Sequence, residues 1–232
     1  MTARFYKQVD AVRRDDGFVI HLDGRPIKTP AKALLMLPTP ALANAIADEW
    51  AMQNEKIAAE TMPLTRLANT AIDGVAGHRA AVAAAILKFG RHDLLCYRAE
   101  APAALAERQR AAWNPHLLWL AARHGAKLDV TVGVAAIDQP EAALAALARA
   151  LEAYGAFALT ALHVLASVTG SLTLGLALAE GRIDADTGFA LSRLDEDFQA
   201  EKWGRDAQAT ARAALLQREL GHALEFLTLA RT

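Results

Sequence analysis

The stretch Asp15-Asp16-Gly17-Phe18-Val19-Ile20-His21-Leu22-Asp23-Gly24 decides the fold class. Within it Phe18, Ile20 and Leu22 alternate with Val19, His21 and Asp23, a period of two that places the first set on the covered face of a strand. Asp15, Asp16 and Gly17 separate this strand from the run Phe5 to Val12, and Asp-Gly supplies the positive φ angles of a tight hairpin turn. A second pair, Asp23 and Gly24, leads through Pro26 into Ile27, Lys28 and Thr29. Leu34 to Leu37 then ends at Pro38, whose missing amide stops a ladder. A small twisted sheet is expected.

From Thr39 the period becomes helical, with Thr39 as cap, Pro40 at the first helical position, and Leu42, Ile46 and Trp50 four residues apart. Helical patterns follow at Leu64 to Val75, Arg79 to Phe89, Pro102 to Ala112, Pro115 to His124, Glu141 to Ala153, Phe157 to Glu180, Ala185 to Lys202 and Asp206 to Leu229. Leu128 to Val134 has a brief strand-like alternation. The expected fold is α+β: a small β-rich N-terminal domain over residues 1–57, then a larger all-helical bundle domain over 58–232.

At 232 residues and 53% hydrophobic content the chain can bury one sizeable core or two modest ones. Its 25 basic residues balance 26 acidic ones, so nothing suggests nucleic acid or an anionic membrane as partner. Cys96 is the single cysteine and adjoins Leu94, Leu95 and Tyr97, which reads as a small buried hydrophobe in a reducing compartment. The strand pattern starting at Arg4 leaves no room for a signal peptide, and a cytoplasmic location is expected. The uncharged run Ala156 to Ala179 is long enough to span a bilayer, but it contains His163 and several Ser, Thr and Gly residues and lies between Glu152 and Glu180. A helix hydrophobic all round, buried among other helices, is the expectation, with Gly155, Gly170 and Gly175 permitting close contact.

Motifs for chemistry are missing. Gly170 and Gly175 lack the Gly-Lys-Ser/Thr ending of a phosphate loop, and no dinucleotide fingerprint follows a strand. Glu219 and His222 form one Glu-x-x-His where di-iron bundles use two, and His92-Asp93 has no further ligands, so no metal or cofactor is expected. Ser167 and Ser171 lack the elbow glycines of a hydrolase nucleophile. The unusual stretch is Leu194-Asp195-Glu196-Asp197-Phe198-Gln199. With Leu191, Leu194 and Phe198 as the apolar stripe, a helix puts Asp195 beside it and points Glu196 away, towards solvent or a partner. Trp203 and Gly204 close that helix.

Phe5-Tyr6-Lys7, Leu22-Asp23-Gly24-Arg25-Pro26, Lys28-Thr29-Pro30, Glu49-Trp50, Met62-Pro63-Leu64-Thr65 and Asp195 to Gln199 with Trp203-Gly204 occur in an order that resembles the assembly chaperones of the ATP synthase α subunit. The resemblance covers nearly the whole chain and implies a non-enzymatic protein. It implies that unassembled α subunit of the catalytic head is bound and kept from aggregating until β subunit takes its place. It also implies a bacterial relative acting in the cytoplasm, since mitochondrial members carry an import segment. The resemblance points to a partner surface made of Glu196, Asp195, Asp197, Gln199 and Trp203. A helical enzyme with a carboxylate site from Glu49, Asp195, Glu196 and Asp197 is the alternative.

Overall fold

The expected hairpin forms, but the two Asp-Gly pairs have different tasks. In the computed structural model, which describes residues 2–204 and 206–231, strands β1 (Thr2–Ala3), β2 (Val9–Arg14) and β3 (Gly17–Leu22) come first. Arg14 pairs with Gly17 across the β2–β3 turn, so Gly17 is already a strand residue. Its φ is +149°, and a methyl group on it would lie 2.5 Å from the Leu37 carbonyl oxygen. Glycine is needed there for close approach rather than for the turn itself. The primed-turn chemistry belongs to the second pair, where Asp23 and Gly24 both have positive φ, +47° and +77°, and join β3 to β4 (Arg25–Pro26).

β3 is central: it pairs antiparallel with β2, with β4 and with β5 (Met36–Leu37). Ile20 and Leu22 are buried as their alternation predicts. Val19, expected to face outward, is fully buried too, so both faces of the strand are covered at that level. α1 (Pro40–Ala51) follows, with Thr39 Oγ1 accepting from the Leu42 amide at 3.2 Å and Leu42, Ala43 and Ile46 buried. β6 (Lys56–Ile57) pairs with β1.

Next comes α2 (Pro63–Thr70), continued by a π turn over Ala71–Val75. Met62 precedes α2 and provides no side-chain cap. The orphan amides are met from α1 instead: Glu49 accepts from the Leu64 amide at 2.7 Å, the Thr65 amide at 2.8 Å and the Thr65 hydroxyl at 2.6 Å. A carboxylate at a helix N-terminus also complements the macrodipole. Burial pushes the Glu49 carboxyl above its ordinary range, and these hydrogen bonds oppose the shift.

The remaining elements are α3 (Arg79–Arg91), β7 (Tyr97–Arg98), α4 (Ala103–His124), β8 (Thr131–Val132), α5 (Glu141–Glu152), α6 (Ala156–Thr169), α7 (Leu172–Ala179), α8 (Ala185–Ser192), α9 (Leu194–Trp203) and α10 (Ala207–Leu229). β7 and β8 form a short parallel pair, so the alternation at Leu128 to Val134 contains a strand of two residues. The compact units do not follow a single boundary at residue 57. One comprises Met1–Arg79, Gly155–Ala161 and His222–Thr232, and the other Ala80–Tyr154 and Leu162–Gly221. Segments distant in sequence thus complete the N-terminal unit.

Three helical expectations are corrected. The uncharged run is two helices, not one, because Gly170 takes φ +65° and Ser171 caps α7 by accepting from the Leu174 amide at 3.0 Å. Every residue of α7 is buried, and Gly175 sits so close to Ala166 that a Cβ would lie 3.2 Å from its amide nitrogen. Among the described residues no helix is long and apolar enough to cross a membrane. Pro115 lies inside continuous α4, where burial of Trp113, His116 and Leu120 outweighs a penalty of roughly 3 kcal/mol. The expected Ala185 to Lys202 helix breaks at Arg193 because side chains occupy carbonyls that would extend it. Ser192 Oγ donates to the Phe189 carbonyl at 2.8 Å and the Trp113 indole to that of Leu191 at 2.9 Å.

The second unit has an apolar cluster of Leu95, Leu105, Trp113, Leu174, Leu194 and Phe198. Asp93, fully buried, accepts from the Leu95 amide (3.0 Å), the Ser171 hydroxyl (2.6 Å), and the Thr173 amide and hydroxyl (2.9 and 2.8 Å). One carboxylate therefore joins the turn Leu94–Cys96 to the start of α7. Cys96 is also fully buried, and burial pushes its thiol well up, the charge of Asp93 adding to the effect. The native protein should not react with iodoacetamide over hours, whereas denatured chain should label fully. Stoichiometric labelling without unfolding, read by intact mass, would contradict this burial.

Candidate functional site

α9 has two faces with different duties. Leu194 and Phe198, four residues apart, point into the apolar cluster, and Glu196 points outward with more than half of its side chain exposed. The Phe198 ring lies under Arg108 (5.1 Å) and Lys202 (4.5 Å), while Arg108 holds Glu201 through a bidentate pair at 2.8 and 3.0 Å. These contacts fix the helix.

Asp195 is drawn into the packing rather than left for a partner. Its Oδ1 accepts from Gln109 Nε2 at 2.7 Å, and the fully buried Gln109 accepts the Ala99 amide at 2.7 Å. Arg98 donates to the Gln109 carbonyl (2.7 Å) and Asn114 Oδ1 (2.9 Å) and stands 5.0 Å over Trp113. Burial pushes the Arg98 guanidinium below its ordinary range, and the Asp195 charge is among those opposing this. Asp195 is thus a positioning residue for α9.

A groove of about 710 Å³ runs along the outer side of α9 against α10. Glu196, Asp197, Gln199 and Trp203 line it from α9, together with Asp195. Glu196 has a loose ion pair with Arg193 at 3.6 Å, and Asp197 is half-buried. Trp203 is 84% exposed, a large indole presented to solvent beside the groove. Opposite stand Ala209, Thr210, Ala213 and Gln217 of α10, whose cap is Asp206, accepting the Ala209 amide at 2.7 Å. This α10 wall was not foreseen from sequence. Its signal is alanine at helical spacing without a large apolar side chain, which also describes ordinary solvated helix.

Two of the carboxylates proposed for an alternative enzyme are already engaged in holding the fold. Glu49 is engaged in capping α2, and Asp195 in holding Gln109. Among the described residues no three His, Cys, Asp or Glu side chains form a metal-binding group.

A sequence model described as the ATP12 chaperone protein matches residues 3–121. The chain belongs to the ATP12 chaperone family. Likeness beyond that span reaches α9 and α10: the Atp12 crystal structure from Paracoccus denitrificans is 45% identical, with a TM-score of 0.95 over 99% of this chain and 98% of its own. A point mutant of that protein matches with the same values. The mitochondrial protein atp12 of Schizosaccharomyces pombe is 24% identical over 213 residues, 87% of this chain and 73% of its own length. As an ATP12-family member the chain is an assembly chaperone of the ATP synthase and not an enzyme. An exposed groove with an anchored back suits that role.

Proposed function

We propose that this chaperone binds the unassembled α subunit of the F-type ATP synthase catalytic head through the α9–α10 groove and keeps it from aggregating until β subunit replaces it. The supporting observation is the division of α9: Phe198 is locked in the core while Glu196 and the exposed Trp203 border an open groove. A subunit made for an oligomer exposes apolar interface that aggregates unless covered. Trp203 offers an aromatic anchor of the type that dominates protein interfaces, and Glu196, Asp197 and Gln199 offer a polar rim. An interface of moderate size can be displaced by a subunit with a better-packed one, so release needs no nucleotide. The proposal takes the encounter to occur in the bacterial cytoplasm.

Glu196→Lys tests this reading. Charge reversal at so exposed a position should change stability by no more than about 0.5 kcal/mol. Protection of α subunit should fall severalfold, measured as suppression of its aggregation at matched folded concentration, with β subunit as control client. A variant that melts normally and still protects α subunit like the parent would remove this face from the interaction.

A further inference from the structure

The N-terminal unit carries a second groove, of about 520 Å³, that no role above uses. Its aromatic wall is a ladder of three rings: Phe5 and Tyr6 meet edge to face with centroids 5.4 Å apart, and Tyr6 and Trp50 are tilted by 58° with centroids 5.8 Å apart. The Tyr6 hydroxyl donates to the Trp50 carbonyl at 2.8 Å and sets the ladder rigidly on α1. Phe5 at its outer end is 69% exposed.

The polar groups around this wall are unbalanced. Asp23 is the groove's carboxylate, and its Oδ1 is engaged by the Lys7 and Gln8 amides at 3.0 and 2.8 Å. Arg25 and Lys28 line the groove, are exposed and have no carboxylate within ion-pairing distance among the described residues. Trp50, also in the lining, has an indole N–H that is buried without an acceptor. The groove therefore offers one apolar platform and two cations without a carboxylate partner, against the single carboxylate of Asp23.

We propose that this groove is a second docking site, for an extended acidic segment of the same client subunit, with a carboxylate against Arg25 and Lys28 and an apolar side chain on Phe5. The inference rests on the α-subunit reading above. Charge complementarity selects the occupant: an acidic segment supplies carboxylates for Arg25 and Lys28, which have none, and a basic one is repelled. The α9–α10 groove has the opposite sign, so the two sites would select different stretches of one client. Two linked weak contacts hold more tightly than either alone and release when either is displaced.

The test uses the full chain with Arg25→Glu/Lys28→Glu, alongside Arg25→Ala/Lys28→Ala in case charge reversal disturbs the hairpin. Binding is measured by calorimetry against purified α subunit, and by retention on an array of overlapping peptides that cover the α sequence. The reversed variant should melt with the parent, bind α subunit about tenfold more weakly, and lose the acidic peptides the parent retains. The same factor should appear in a Glu196→Lys background, because the two sites lie on different units. Equal binding by parent and both groove variants overturns the second site and leaves the α reading intact. A parent that does not bind α subunit at all overturns both. Dimerisation of the parent in sedimentation, abolished by the substitutions while α binding is unchanged, would show the occupant to be a second copy and overturn the proposal.

Discussion

Asp93→Ala is expected to destabilise the protein by about 3 to 6 kcal/mol, among the largest losses available from one polar side chain. The variant leaves the Leu95 and Thr173 amides and the Ser171 and Thr173 hydroxyls without their acceptor. Each buried donor left unmet costs about 1–3 kcal/mol, and hydroxyls recover part of this by rotating. Burial pushes the Asp93 carboxyl above its ordinary range while those four bonds draw it down, so the group is held in a site that only full satisfaction makes tolerable. For a chain of this size the melting temperature should fall by roughly 6 to 24 °C. Asp93→Asn, which keeps one acceptor oxygen, should lie between the variant and the parent. A shift of less than about 2 °C for Asp93→Ala in calorimetry would show that the carboxylate is not a structural joint.

Phe198→Ala is expected to cost about 3 to 5 kcal/mol through lost burial and the cavity left among Leu95, Leu105, Trp113, Leu174 and Leu194. Arg108 and Lys202 also lose the ring they cover. Urea titration at unchanged m would measure the loss, and binding of α subunit at matched folded concentration should remain near that of the parent. A loss under about 1 kcal/mol would mean that the cluster closes over the gap. Loss of binding by fully folded Phe198→Ala would mean that the inner face of α9 shapes the groove directly. The pair Phe198→Ala and Glu196→Lys thus separates what holds the helix from what the helix presents.

Local pattern carried the larger features. The alternation after Asp15-Asp16-Gly17 located β3, Thr39-Pro40 located the start of α1, and the 100° rotation between residues separated Glu196 from Phe198. What escaped is non-local. His92-Asp93 shows no partner in sequence because Ser171 and Thr173 lie 78 and 80 positions away. The break at Arg193 depends on an indole from α4 reaching the Leu191 carbonyl, and the engagement of Asp195 depends on Gln109, 86 positions earlier. Val19 was misplaced because alternation marks opposite faces and cannot tell that both are covered. The α10 wall of the groove has alanines that read as plain helix.

The two remote carboxylate caps bear on how the chain reaches its native state. α2 and α7 each have eight residues, too few to persist alone in water. The carboxylate that closes the start of α2 stands on α1, and Asp93 reaches α7 from a turn that precedes α4. Neither short helix gains its full set of end bonds until a distant segment has arrived, so helix formation and tertiary docking become one event. Such coupling disfavours half-formed states in which the apolar faces of α2 and α7 would be open. For an assembly chaperone, all-or-none formation of its own chain limits the time in which its apolar faces are open to aggregation.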